Sequence, residues 1–122
     1  MQSGFSVEFQ LEDCESLGKG SVPLTEEVMR KYLDTLDCWR LIDSRPLRLA
    51  KSFVFDDYED AFIFVAHIKD ISVQQNHHPR IVFEYDAVEV TWWTHVLKGL
   101  HRNDYIMAAK TDAMFYRLFD KT

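Results

Sequence analysis

The spacing of apolar residues changes abruptly at Pro79, and that change limits the folds open to this 122-residue chain. Before it, Tyr58, Ala61, Phe62, Phe64, Val65 and Ile68 recur at helical spacing and give a broad apolar face. After it, Ile81, Phe83 and Tyr85 alternate, and so do Val88, Val90 and Trp92. Proline disfavours the helical region for the residue before it, so the helix must end near Asn76. The alternation then predicts a hairpin turning at Asp86-Ala87, with Tyr85 facing Val88, Phe83 facing Val90 and Ile81 paired with Trp92. Asp56, three residues before Glu59, predicts the helix start as a capping-box-like pair.

The same pattern occurs upstream. Thr25 reads as an N-cap for a helix to about Leu36, with Glu26 and Glu27 at its positive end and Val28, Tyr32, Leu33 and Leu36 as its stripe. Strands are expected over 38–43 and 47–55, joined by a turn at Ser44-Arg45-Pro46. A last helix is expected over 102–119. Tyr105, Ala109, Tyr116 and Phe119 form one stripe on it, and Met107, Met114 and Leu118 form another on nearly the opposite side. The second stripe suggests a homodimer or homotetramer through this C-terminal helix, or packing under the N-terminal segment. The order α-β-β-α-β-β-α predicts an α+β fold, a four-stranded antiparallel sheet with three helices packed on one face. Residues 1–22 are expected as a loosely ordered lead-in, where Phe5, Val7 and Phe9 could make a short edge strand. Residues 23–122 are expected as one domain.

Composition narrows the function. Lys and Arg total 14 against 20 Asp and Glu, a net charge of −6, so direct nucleic-acid binding is not expected. The longest apolar run, residues 61–66, is too short for a membrane span. The acidic N-terminus fits neither a signal nor a transit peptide, so a cytoplasmic protein is expected. Cys14 and Cys38 make neither a disulfide framework nor a zinc site.

Three of the five histidines fall at one rim: His77 and His78 before the hairpin, and His95 after it. Imidazole can give and take protons near neutrality, so the group reads as a proton-transfer site. Neighbouring residues of an extended segment face opposite ways, which disfavours one metal ion gripped by both His77 and His78. Asp104, in the first turn of the last helix, suits the helix dipole and could orient an imidazole. Trp39, Trp92 and Trp93 read as core or as platforms for a flat heterocycle. His67 and His101 have no evident partner.

Asn76-His77-His78-Pro79, Tyr85, Val88, Thr94-His95, Gly99-Leu100 and Asp104, with Leu24-Thr25, Trp39, Lys51, Phe53, Phe55 and Ala61-Phe62 upstream, resemble the pterin-4a-carbinolamine dehydratase family over about residues 23–119. The resemblance implies dehydration of 4a-hydroxytetrahydropterin to quinonoid dihydropterin, with no cofactor and no metal. It implies catalytic roles for His77, His78 and His95, with His78 and His95 sharing acid and base work and His77 orienting the substrate. Asp104 matches the supporting acid, Pro79 and Thr94 match the pterin pocket, and Trp39 matches a tryptophan near it. Dimers or tetramers are usual in the family. Some relatives act as coactivators or assembly factors, so a non-enzymatic protein partner is the alternative. The chain departs from the family pattern at Val73, where an acid is common, at Ile81, an aromatic position, and at His101, where Ser or Thr usually caps the helix.

Overall fold

The computed structural model describes residues 9–18 and 21–119. Its elements are α1 (Glu26–Leu33), β1 (Arg40–Ile42), β2 (Arg48–Val54), α2 (Tyr58–Gln75), β3 (Arg80–Glu84), β4 (Ala87–Trp92), a 3₁₀ turn (His95–Leu97) and α3 (Arg102–Phe119). The strands form one antiparallel sheet in the order β1-β2-β4-β3. Alternation sets Leu49, Lys51 and Phe53 of β2 beside Trp92, Val90 and Val88 of β4 on one face, with Ile81 and Phe83 of β3 continuing it. Helices α2 and α3 lie against this face. Helix α1 packs on the start of α3, where the Tyr105 hydroxyl donates to the Met29 carbonyl at 3.0 Å. This is the expected α+β plan. Phe64, Ile68, Val88, Val90, Trp92 and Tyr105 are all fully buried between the layers, each burial stabilising by roughly 1.5–3 kcal/mol.

Three details differ from the expectation. The hairpin turns at Tyr85-Asp86, one residue earlier than read, so Ile81 pairs with Val90 and Phe83 with Val88. Ala87 is drawn into the sheet because it also pairs with Val54 of β2, and the Phe55 N–H reaches the Asp86 carbonyl at 2.8 Å. Tyr85 takes the left-handed turn position, φ 51°, and is exposed. The slip is two residues in pairing, an even number, so each remaining side chain keeps its face. The N-cap of α2 is Asp57, whose carboxylate accepts from Asp60 N–H at 2.8 Å, in place of the Asp56–Glu59 pair. Asn76 ends that helix, as expected, in the left-handed conformation, φ 53°.

The lead-in also differs over its described part. Phe9 lies in a helical turn over 9–11 and is buried, so it is not in an edge strand; Phe5 and Val7 lie outside the described residues. Residues 9–18 are a docked strap. Glu12 makes two bonds to Arg102, Lys110 donates to the Gln10 carbonyl, and Cys14 N–H donates to the Gln75 side chain. Arg102 lies over the rings of Phe9 and Tyr32. In α3, Met107 and Met114 are buried within the chain itself, which leaves Leu118 as the exposed member of the second stripe.

Candidate active site

Two helix ends meet at the rim. At the close of α2, Asn76 N–H bonds to Val73 O and His77 N–H to Ser72 O, which fixes the chain as it leaves for β3. At the start of α3, His101 serves as the cap: its Nδ1 accepts from Asn103 N–H at 3.0 Å, while Asp104 N–H donates to the His101 carbonyl. Asp104 then reaches back and its Oδ2 accepts the His101 N–H at 2.9 Å, as the acid of a capping box would. The His101 Nε2 lies 3.2 Å from Glu15 of the strap. Because Nδ1 accepts, the ring proton sits on Nε2.

Asp104 is fully buried, and three donors surround it. Its Oδ2 also accepts from the Thr94 hydroxyl at 2.7 Å, and its Oδ1 lies 2.6 Å from His77 Nε2. An ionised carboxylate only accepts, so Nε2 of His77 is the donor in this bond. The His77 ring stacks on Trp92, centroids 5.8 Å apart and planes 15° apart, and Trp92 Nε1 donates to Thr111. The imidazole is thereby held in position and in one tautomer.

Extending the β3–β4 register past the strand ends sets His77 opposite Thr94 and His78 opposite Trp93. His77 and Thr94 belong to the helix-covered side and meet at Asp104. His78 is exposed, and no hydrogen bond or ring contact joins it to that group. His95 is also exposed, and its ring lies 4.5 Å from Trp93, whose other neighbour is the Arg48 guanidinium at 3.9 Å. Pro79 is half-buried at the entry to β3. Of the residues expected at the site, His77, Thr94 and Asp104 are thus joined directly. His95 follows Thr94 in the chain, and His78 and Pro79 occupy the rim.

Trp39 is elsewhere. Its Nε1 donates to Asp112 Oδ2 at 2.9 Å, and Lys51 Nζ meets the other oxygen at 2.8 Å. Asp112 is eight residues beyond Asp104, about 12 Å along the same helix. His101 stands at the N-cap position the resemblance assigns to Ser or Thr, and it precedes Asp104 by three residues, the spacing of a capping box; the partners of its ring and N–H were not expected. Among the described residues no group of three or more His, Cys, Asp or Glu side chains is arranged to hold a metal ion. No helix among them is long and apolar enough to cross a membrane.

Comparison with known proteins shows the family. A family model described as pterin 4 alpha carbinolamine dehydratase matches residues 22–114. A Vibrio cholerae protein provisionally named pterin-4-alpha-carbinolamine dehydratase is 41% identical over 102 residues, covering 83% of this chain and 94% of its own. A Chlorobium luteolum protein of the same provisional name is 35% identical over 106 residues, covering 86% and 93%. A solved structure described as a transcriptional coactivator/pterin dehydratase from Brucella melitensis superposes with a TM-score of 0.71 at 36% identity, covering 75% of this chain and 97% of that one. A second, a pterin dehydratase-like protein described as a RuBisCO assembly factor in the alpha-carboxysome, gives 0.56 at 26% identity, covering 64% and 89%.

Proposed function

Since this chain belongs to the pterin 4 alpha carbinolamine dehydratase family, we propose that it eliminates water from a 4a-hydroxytetrahydropterin to give the quinonoid dihydropterin, in recycling of the reduced pterin. The observation that supports this most is the buried Asp104–His77 hydrogen bond, which sets a carboxylate behind an imidazole next to the rim.

Elimination requires a base for a ring N–H proton and an acid for the departing 4a-hydroxyl, which leaves as water. His77 suits the base role, because the carboxylate stabilises the imidazolium that forms when Nδ1 takes the proton. His95 suits the acid role, and exposed His78 is suited to binding the substrate from the rim. This division differs from the one expected from the sequence, where His77 only oriented the substrate, and the reason is Asp104: among the described residues neither His78 nor His95 has a carboxylate partner. Thr94 holds the second oxygen of Asp104, and Pro79 shapes the pocket edge. No metal or cofactor is needed for a reaction that only moves protons and releases water. Cys14 and Cys38 are unpaired, which fits work in the reducing cytoplasm.

The test is dehydration of a freshly prepared 4a-hydroxytetrahydropterin. The protein should accelerate it, and His77→Ala should lower kcat by about 10²–10⁴-fold, with roughly 10²-fold for His95→Ala. Wild-type rates in both variants would overturn the acid–base assignment. A second reading, a scaffold that binds another protein, is supported by the coactivator and assembly-factor descriptions of the two solved relatives. It predicts no acceleration in the same assay.

A further inference from the structure

We infer that Gln75 is a positioning residue for His77: through it the strap over 9–18 ties the end of α2 to the start of α3 and so sets the His77–Asp104 contact. The inference rests on the activity proposed above and deepens it, since it concerns the same imidazole. It begins from how loosely α2 itself fixes His77. The last turn of a helix leaves carbonyl groups without helical partners, and Asn76 turns left-handed directly after Gln75. The bonds that close this turn are long, 3.3 Å from Asn76 N–H to Val73 O and 3.1 Å from His77 N–H to Ser72 O. The contact that His77 makes with Asp104 is 2.6 Å, short enough that a shift of about half an ångström weakens it steeply.

Gln75 supplies what the backbone does not. Its Oε1 accepts from Cys14 N–H at 2.7 Å, and its Nε2 donates to the Asp13 carboxylate at 3.0 Å. On the other helix Asn103 is gripped in the same way. Its Oδ1 accepts from Glu15 N–H at 3.0 Å and its Nδ2 donates to the Glu15 carbonyl at 2.9 Å. Two side-chain amides, one from each helix, are thus held by the successive strap residues Asp13, Cys14 and Glu15. One stands two residues before His77, the other one residue before Asp104. An amide bonded through both its oxygen and its nitrogen has a single orientation, so the strap sets the spacing of the two helix ends.

The strap has other holds on the start of the last helix. Glu12 pairs with Arg102, Lys110 donates to the Gln10 carbonyl, and the buried Phe9 packs against Tyr32 and Tyr105. Toward α2, by contrast, every hydrogen bond of the strap among the described residues passes through Gln75. Removing that amide therefore cuts the tie and leaves the strap docked. The family model matches from residue 22 onward, so the tie joins the matched domain to chain outside the match. A purely structural role would appear as lost stability, and a positioning role appears at His77.

The test is Gln75→Met in the full chain, which keeps side-chain length and helix propensity and removes both polar atoms. The His77 Nε2 proton, held in a short bond to a carboxylate, should resonate far downfield in proton NMR and reads the contact independently of turnover. In Q75M this resonance should move upfield or broaden by solvent exchange, with little change in melting temperature. In the dehydration assay kcat should fall about tenfold with KM nearly unchanged, because substrate still binds while the imidazole is displaced. Combining Asp13→Lys with Gln75→Glu rebuilds the tie, with a carboxylate at 75 accepting from Cys14 N–H and from an ammonium at 13, and should restore both readings. A His77 resonance unmoved in Q75M overturns the inference, and so does a wild type with no downfield resonance or a loss that the rebuilt tie leaves unrepaired. Should wild type fail to turn over the pterin, the proposed activity falls, and the resonance alone still decides this inference.

Discussion

Helix α3 buries two carboxylates on one rod, and their partners differ. Asp104 holds an imidazole, a hydroxyl and a backbone N–H. Asp112 holds the Lys51 ammonium and the Trp39 indole N–H. A lysine is a permanent cation near neutrality, so the Asp112 group is locked as an ion pair between helix and sheet. An imidazole can take or release a proton while its carboxylate stays charged, so the Asp104 group can change state without being dismantled. Burial raises the Asp112 carboxyl above its ordinary value, with Lys51 and Trp39 opposing. The proposed chemistry therefore draws on the helix start, and the ion pair braces the fold two turns further on.

The sharpest way to break this contrast is to remove charge at one end. Asp104→Asn keeps the shape but sets an amide N–H against donors, and His77 loses the partner that fixes its tautomer. We expect kcat for the dehydration to fall by about 10²–10⁴-fold with a modest change in melting temperature. An unchanged kcat would reduce Asp104 to a helix cap.

At the other end the loss should be in stability. Lys51→Ala leaves Asp112 buried without its cation, at a cost of about 3–5 kcal/mol in denaturant unfolding. The pH dependence has a definite sign. The Asp112 carboxyl already titrates above its unfolded value of 3.8, and losing Lys51 raises it further. A folded state that holds its proton more tightly gains stability as pH falls toward that unfolded value and loses it as pH rises. The deficit of the variant should thus shrink in acid and widen toward neutrality. A deficit that stayed constant between acid and neutral pH would mean that losing Lys51 does not raise the Asp112 carboxyl further.

The two ends were unequally legible in the sequence. Thr94 entered through the resemblance alone, and its bond to Asp104 had no trace in the spacing. Counting along the hairpin brought His77, His78 and His95 to one rim, and strand parity survives an even slip: the hairpin turned at Tyr85 and not at Asp86-Ala87, yet no face was exchanged. Tyrosine in a left-handed turn gave no warning of it, since Gly or Asn is the usual signal. Trp39 was placed by resemblance near the pocket, and only the contact with Asp112, 73 residues away, shows where it lies. Long-range pairing of that kind has no periodic trace. Tyr58 and Phe62 had the right period for a core face, yet they lie at the sheet edge beside Phe83 and stay more than half exposed, because the helix is apolar over a wider arc than the sheet covers. The strap over 9–18 was unreadable for the opposite reason: its bonds run through Glu12, Cys14 and Glu15, polar residues with no pattern.

A smaller effect should follow from Thr94→Val, which removes one of the three bonds to Asp104 and leaves His77 in place. Hydrogen bonds to charged groups contribute roughly 1.5–3 kcal/mol, but two donors remain, so we expect kcat to fall by about tenfold. A loss as large as that of Asp104→Asn would mean that the hydroxyl, and not the imidazole, sets the carboxylate.

The strap separates the two ends in a last, milder way, because its bonds to Asn103 and Arg102 fall at the Asp104 end. Asn103 and Glu15 exchange two hydrogen bonds, 3.0 and 2.9 Å, and Cys14 is carried between them and Gln75. Burial pushes the Cys14 thiol up to about 12, so at neutral pH almost none of it is the reactive thiolate. Cys38 is exposed, although its bond to Asp37 also disfavours the thiolate. With an alkylating reagent at neutral pH, Cys38 should react first and Cys14 much more slowly. Asn103→Ala loosens the strap and should speed Cys14 several-fold without changing Cys38, and peptide mass spectrometry would resolve the two. If Cys14 kept its wild-type rate in that variant, Asn103 would not be what holds the strap. The brace over the Asp104 end would then rest on the Arg102–Glu12 pair and on Phe9 packed against Tyr32 and Tyr105.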